Sequence, residues 1–264
     1  MATETHAPGA ATSTFPTPSE RMAHRAAKEL HDNDVVFVGI GLPNLACNLA
    51  RATHAPSLFM IYESGAVGCI PERLPVSIGD PALVTDSLAV VSQADIFQLY
   101  LQRGLIQVGF LGGAQIDRYG NINTTVIGPY NNPKVRLPGS GGACEIAVHS
   151  KRLLIVMRMS KRTFVEKCDY ITSPGHFLNG KTRQELGHPG GGPSKVITDL
   201  CVMDFVDGKM TVTELYPGVT REQVQAACGF ELGFASTISE TETPDANVLA
   251  LLREKLDPEG LYLK

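Results

Sequence analysis

Leu58-Phe59-Met60-Ile61-Tyr62-Glu63-Ser64-Gly65-Ala66-Val67-Gly68 is the stretch on which the fold turns. The apolar run Leu58 to Tyr62 predicts a buried strand that ends on a carboxylate. Small residues follow it, with little side-chain bulk to block a ligand. In open α/β sheets, ligands bind in the crevice beyond the carboxyl ends of the strands, which is where this pattern puts Glu63. A strand-ending Glu can equally cap the next helix or face water, and the stretch alone leaves both readings open.

Upstream, Val35-Val36-Phe37-Val38 predicts another buried strand running into Gly39-Ile40-Gly41-Leu42-Pro43. Pro43 suits the first turn of a helix, which continues through Leu45, Ala46, Leu49 and Ala50. Strand, glycine turn, helix and strand make a βαβ unit. The expected fold is α/β: an open, mostly parallel sheet flanked by helices, in a single domain. Gly39-x-Gly41 with an acid farther on suggests a dinucleotide fingerprint, but the third glycine is replaced by Asn44, which disfavours NAD. The two glycines then let backbone approach a ligand or a neighbouring strand.

Composition excludes several classes. The 264 residues carry a net charge of −4 with no run of Lys or Arg longer than two, which argues against nucleic-acid binding. No apolar stretch reaches membrane-spanning length, so no membrane association is expected. Residues 1–18, rich in Ala, Thr and Pro, lack the apolar core of a secretory signal and are expected to form a disordered tail, with residues 19–264 as the domain. Six dispersed cysteines without a C-x-x-C pair argue against a zinc site or a disulfide scaffold and fit reduced thiols in a cytoplasmic protein.

Downstream, residues 69–91 are irregular and could wall a site beside Glu63, with Arg73 and Ser77 as unassigned polar candidates there. Ser92 is expected to cap a helix whose Ile96, Leu99 and Tyr100 face the core. Pro138-Gly139-Ser140-Gly141-Gly142-Ala143 reads either as a flexible connector or as an anion nest with exposed N–H groups. His149, His176 and His188 read as loop surface, and the Lys161–Lys167 cluster as a solvated face. Asp207-Gly208 predicts a hairpin turn, Thr220 a helix cap, and Pro244-Asp245 the start of a final helix.

Five motifs together resemble the B (beta) subunit of family I CoA transferases, in the glutaconate CoA-transferase branch. They are Gly39–Pro43, Glu63–Gly65, Gly113–Asp117, Tyr119–Asn123 and Gly139–Ala143, in family order. The runs Ile61–Gly68 and Asn121–Gly128 are most similar to 3-oxoadipate-using members. The wider fold also serves sugar-phosphate isomerases, hydrolases and decarboxylases, so fold by itself assigns little.

The resemblance implies ping-pong transfer of CoA from an acyl-CoA donor such as succinyl-CoA to a small dicarboxylate, 3-oxoadipate or glutaconate. Glu63 would be the nucleophile and pass through a glutamyl-CoA thioester, with Gly141 and Gly142 as backbone donors to the oxyanion. Gly39, Gly41, Ser64, Gly65, Gln115 and Gly139 are carried over as substrate or CoA contacts. The chemistry asks for no metal and no cofactor beyond CoA itself as substrate. Decarboxylases and hydrolases of the branch often replace the residue matching Glu63, so its presence favours the transferase. The resemblance also implies a separate A subunit in an A2B2 or larger assembly, with the active site between A and B.

Overall fold

The computed structural model describes residues 15–263. Helix α1, Pro18–Ala27, starts from a capping box in which Thr17 Oγ1 accepts from Glu20 N and the Glu20 carboxylate accepts from Thr17 N. Thr17 and Pro18 are therefore structured, which shortens the expected tail; its residues 1–14 lie outside the described residues.

The strands in chain order are β1 Val35–Phe37, β2 Phe59–Ile61, β3 Ala66–Val67, β4 Ala89–Val90, β5 Val108–Leu111, β6 Gln115–Ile116, β7 Ile122–Asn123 and β8 Val126–Ile127. They continue with β9 Val135–Arg136, β10 Arg152–Val156, β11 Phe177–Leu178, β12 Lys181–Thr182, β13 Pro193–Ile197, β14 Cys201–Val206, β15 Lys209–Leu215 and β16 Gly233–Glu240. The other helices are α2 Leu42–Thr53, α3 Gln93–Asp95, α4 Ala143–His149, α5 Arg221–Ala226 and α6 Ala246–Ala250.

Ten strands form one sheet in the order β16-β15-β14-β13-β10-β5-β1-β2-β3-β4. Its centre, from β2 through β1, β5 and β10 to β13, is parallel. The margins are antiparallel where chain reversals are tight, as at β14–β15 and β2–β3. The β14–β15 turn is Asp207-Gly208, both at positive φ (51° and 71°), as a two-residue hairpin requires.

Alternation along the central strands sends side chains to two cores, one on each face. Val36, Met60, Tyr62, Leu154 and Ile197 pack beneath α1 and α2. Phe37, Ile61, Leu153, Ile155 and Val196 meet Ile96, Ile146 and Val224 on the other face. Helices thus cover both faces, which is why the central strands are apolar throughout instead of alternating with polar residues. No helix among the described residues is long and apolar enough to cross a membrane.

Two expectations change. The irregular stretch after Glu63 contains β3 and β4, which pair antiparallel and prolong the sheet beside β2. The segment from Ser92 does begin as a capped helix, but it widens over Ile96–Leu101, where Gln102 N donates to Phe97 O at 2.8 Å, five residues back. The wider turn breaks the expected stripe: Ile96 is buried, whereas Leu99 is 54% exposed. Phe97 turns inward instead, its ring 5.6 Å from that of Phe37.

Candidate active site

Three chain segments converge at the carboxyl ends of the parallel strands. The first leaves β1: Val38 N donates to Ile61 O at 2.9 Å, and Gly39-Ile40-Gly41 then departs from the sheet. Gly41, at φ 96°, stands just before α2, a conformation that disfavours any side chain. A Cβ on Gly39 would meet nothing within 4 Å, so this glycine faces open space and not a neighbouring strand.

The second segment carries Glu63. Tyr62 N donates to Ala66 O at 2.9 Å and Gly65 N donates to Tyr62 O at 3.0 Å, which makes Glu63 and Ser64 the corner of a tight turn between β2 and β3. Tyr62 points into the core, where its hydroxyl accepts from Asn44 Nδ2, and burial pushes its phenol well above the ordinary value. Glu63, one residue on, projects the opposite way and is half-buried. Gly65 is needed for packing: a Cβ there would lie 2.0 Å from Val91 O, while Val91 N donates to Gly65 O at 3.0 Å.

The third segment is the loop into α4. Thr124 clamps Gly139, donating from Oγ1 to Gly139 O at 2.8 Å and accepting at its own carbonyl from Gly139 N at 2.9 Å. Gly141 (φ 47°) and Gly142 then bring the helix start against Glu63. A Cβ on Gly142 would stand 3.3 Å from Glu63 Oε1 and 2.4 Å from Phe97 Cζ; one on Gly141 would stand 3.8 Å from the same oxygen. Ala143 N and Cys144 N both bond to Ser140, whereas the N–H groups of Gly141 and Gly142 donate to no group among the described residues. Unspent donors beside a carboxylate, at the positive end of a helix, suit a charge that develops during reaction.

A cleft of about 240 Å³ joins Gly39, Ile40, Glu63, Ile78, Gly141 and Gly142. Phe37, Phe110 and Ile146 give it an apolar floor. Gln93, the first residue of α3, closes one side by donating from Nε2 to Glu63 Oε1 at 3.1 Å.

The structure therefore brings Gly39, Glu63, Gly141 and Gly142 into one cleft, with Gly41 and Gly139 fixing the backbone at its edges. Ser64 is exposed on the same turn, and Gly65 serves packing and not contact. Gln115 lies elsewhere: it is 6% exposed, its Oε1 accepts from Asn123 Nδ2 and Asp169 N, and its Nε2 donates to Asp169 Oδ2. A side chain whose oxygen and nitrogen are both engaged inside the fold is a scaffold group, which corrects its expected role as a substrate contact.

Arg73 forks onto Asp80 at 2.8 Å through both terminal nitrogens, and the pairing holds that carboxyl well below its usual range, so this arginine braces its own loop. The histidines are also less exposed than expected. His176 Nε2 lies 2.7 Å from Pro193 O with its ring against Phe205, burial lowers its pKa, and His149 and His188 are half-buried. Sequence reading missed Gln93, Phe97 and Ile78. The signal for Gln93 was partly present, since the Ser92 cap places it at a helix start, but nothing local aims that start at Glu63.

A larger cleft of about 630 Å³, lined by His176, Arg183, His188 and Asp207, lies apart from Glu63. Arg183 beneath it spends its donors on the carbonyls of Gly190, Pro174, Gly175, Ala147 and Val148. It ties the end of α4 to two loops and has no donor left for a ligand.

The family model described as Coenzyme A transferase matches residues 19–227. The chain is 52% identical over 237 residues to the B subunit of 3-oxoadipate CoA-transferase from Pseudomonas knackmussii, covering 89% of this chain and 91% of that one. Its fold superposes on glutaconate coenzyme A-transferase from Acidaminococcus fermentans with a TM-score of 0.88 and 37% identity, covering 95% and 98%. The decarboxylase AibA/AibB matches with a TM-score of 0.80 and 26% identity, covering 92% and 96%.

Proposed function

The chain belongs to the coenzyme A transferase family, and from that premise we propose that it is the B (beta) half of a two-subunit enzyme. The enzyme moves CoA from an acyl-CoA donor, such as succinyl-CoA, to a small dicarboxylate, 3-oxoadipate before glutaconate. One observation carries the reading: a half-buried carboxylate stands at the corner of a turn, over an apolar floor, beside unspent N–H groups of Gly141 and Gly142.

The chemistry follows from those groups. A Glu63 oxygen attacks the thioester carbon of the donor, the C–S bond breaks, and a mixed anhydride and CoA thiolate result. The thiolate attacks Glu63 Cδ, the bond from Cδ to the bridging oxygen breaks, and the donor leaves as its carboxylate. Glu63 now holds CoA as a thioester. The acceptor carboxylate attacks Cδ and expels the thiolate, which returns to the acceptor carbonyl and regenerates the Glu63 carboxylate. An anhydride is about as activated as a thioester, so no proton or electron is consumed overall, and the chemistry calls for no metal or cofactor. The Gly141 and Gly142 N–H groups receive the transient oxyanion; one such donor is worth ~3 kcal/mol in the transition state.

The cleft, at about 240 Å³, is smaller than the roughly 300–1,000 Å³ usual for ligand pockets. Its remaining walls, including water exclusion and much of the CoA site, are assigned to an A subunit in an A2B2 or larger assembly. The Pseudomonas relative is named as one of two lettered subunits, which supports a partner of this kind. The six unpaired cysteines support a reducing, cytoplasmic setting.

The test is an acceptor panel with the two purified subunits together. Succinyl-CoA with 3-oxoadipate is expected to give the acceptor's CoA ester and succinate in equal amounts. Without acceptor, succinyl-CoA is expected to persist. Hydrolysis as fast as transfer would assign a hydrolase instead. The likeness to AibA/AibB supports a second reading, and release of CO₂ from an acyl-CoA substrate would establish that one.

A further inference from the structure

The loop geometry around Glu63 prepares a group that the transfer chemistry does not yet use. Gly65 lacks the Cβ that would collide with Val91 O, so residues 65 and 91 lie backbone to backbone. Immediately after Val91, Ser92 and Asp95 form a reciprocal cap, Asp95 N donating to Ser92 Oγ at 3.1 Å and Ser92 N to Asp95 Oδ2 at 3.3 Å. Gln93 is thereby fixed at the first position of α3, with Nε2 3.1 Å from Glu63 Oε1. The glycine loop lies nearest that same oxygen. No hydrogen bond to Glu63 Oε2 is found among the described residues.

We propose that Gln93 is a catalytic group: it holds one Glu63 oxygen, leaves the other to attack, and then donates to the retained oxygen as the carbonyl of the acylated glutamate. The inference rests on Glu63 being the nucleophile. When CoA thiolate attacks Cδ of the anhydride, the S–Cδ bond forms and the C=O electron pair moves onto the retained oxygen. That pair returns as the Cδ–O bond to the leaving carboxylate breaks. Charge builds on the oxygen that faces Gln93 and the glycine loop together, so the amide and the backbone N–H groups act on one atom from two sides.

A neutral amide suits both halves of the cycle. An Arg or Lys in its place would pair with the resting carboxylate as a full charge and weaken it as a nucleophile, while an apolar residue would leave the oxyanion with backbone donors alone. The donor is preorganised by the Gly65–Val91 contact and the Ser92 cap, so no rearrangement is needed when charge develops.

The test uses the assembled complex of this chain with its A subunit and compares wild type with Gln93→Met, which keeps the side chain's length and removes the donor. Each protein is converted to the Glu63–CoA thioester with acyl-CoA. The thioester carbonyl is then read by isotope-edited infrared difference spectroscopy, alongside kcat and KM. Gln93→Met is expected to move the carbonyl band to higher wavenumber and to lower kcat about tenfold to a hundredfold. KM for acyl-CoA should stay within about twofold, the mark of an interaction made in the transition state. An unchanged kcat, or a lower kcat with an unmoved band, overturns the proposal. If wild type itself yields no thioester, the nucleophile assignment fails and Gln93's role falls with it, an outcome distinct from the other two.

Discussion

The cleft at Glu63 and the turn spanning Gln115 to Asn123 are built from the same kinds of residue. Each has a carboxylate, a glutamine and glycines at positive φ. Their fates differ. Asp117 is 6% exposed, receives the N–H groups of Tyr119 and Asn121 and the Asn121 amide, and has its pKa raised by burial. Asn121 also donates to Phe177 O and accepts from Gly175 N, closing the network. Glu63 is half-buried, has Gln93 as its side-chain donor, and borders N–H groups that are still unspent. Motif strength does not separate chemistry from scaffold here, because both turns belong to the motifs that carry the family resemblance. Satisfaction does: a polar group with its bonding complete specifies structure, and one with bonding in reserve is available to a substrate.

Substitutions on the two sides can break that contrast. The largest effect is expected from Glu63→Ala, which should cut turnover of the assembled complex by ~10⁴-fold or more while leaving the melting temperature close to wild type. Turnover surviving within about tenfold (~1.4 kcal/mol) would remove Glu63 as nucleophile. Gly142→Ala comes next. Its Cβ would lie 2.4 Å from Phe97 Cζ, so the ring and the loop must part. Turnover is expected to fall about 10²–10³-fold as the donors leave the oxyanion, with a stability loss of about 1–3 kcal/mol from overpacking. Denaturant titration together with kcat measures both. Asn121→Ala reverses the pattern: it should cost about 1–3 kcal/mol of stability by stranding Asp117 and the Gly175 N–H, yet leave kcat within about twofold. A large kcat loss without destabilisation would place the Gln115–Asn123 turn in the chemistry after all.

Much of the frame was legible because local physics decides it. The continuous apolar runs near Val35, Leu58 and Leu153 could only be strands covered on both faces, and Pro43, Ser92, Thr220 and Asp207-Gly208 punctuated the chain by turn and cap chemistry. Glu63 was legible as the residue ending a strand. Its position at a hairpin corner was not, since β3 and β4 are two residues each and too short to show any period. Leu99 was misplaced because a five-residue hydrogen-bond step cannot be seen in a pattern judged at 3.6 residues per turn. Gln115 belonged to a recognised motif whose bonding partners, Asn123 and Asp169, fill it from within. Gln93 lies 30 residues from Glu63, and only the packing of Gly65 on Val91 joins them.

The central claim, that Glu63 carries the acyl group and then CoA, is tested most directly by mass. The assembled complex is incubated with acyl-CoA, reduced with borohydride and digested. The peptide containing Glu63 is expected to lose the mass difference between a carboxylic acid and its primary alcohol, since borohydride reduces a thioester but not a free carboxylate. The same peptide recovered unmodified from an active complex would contradict the claim.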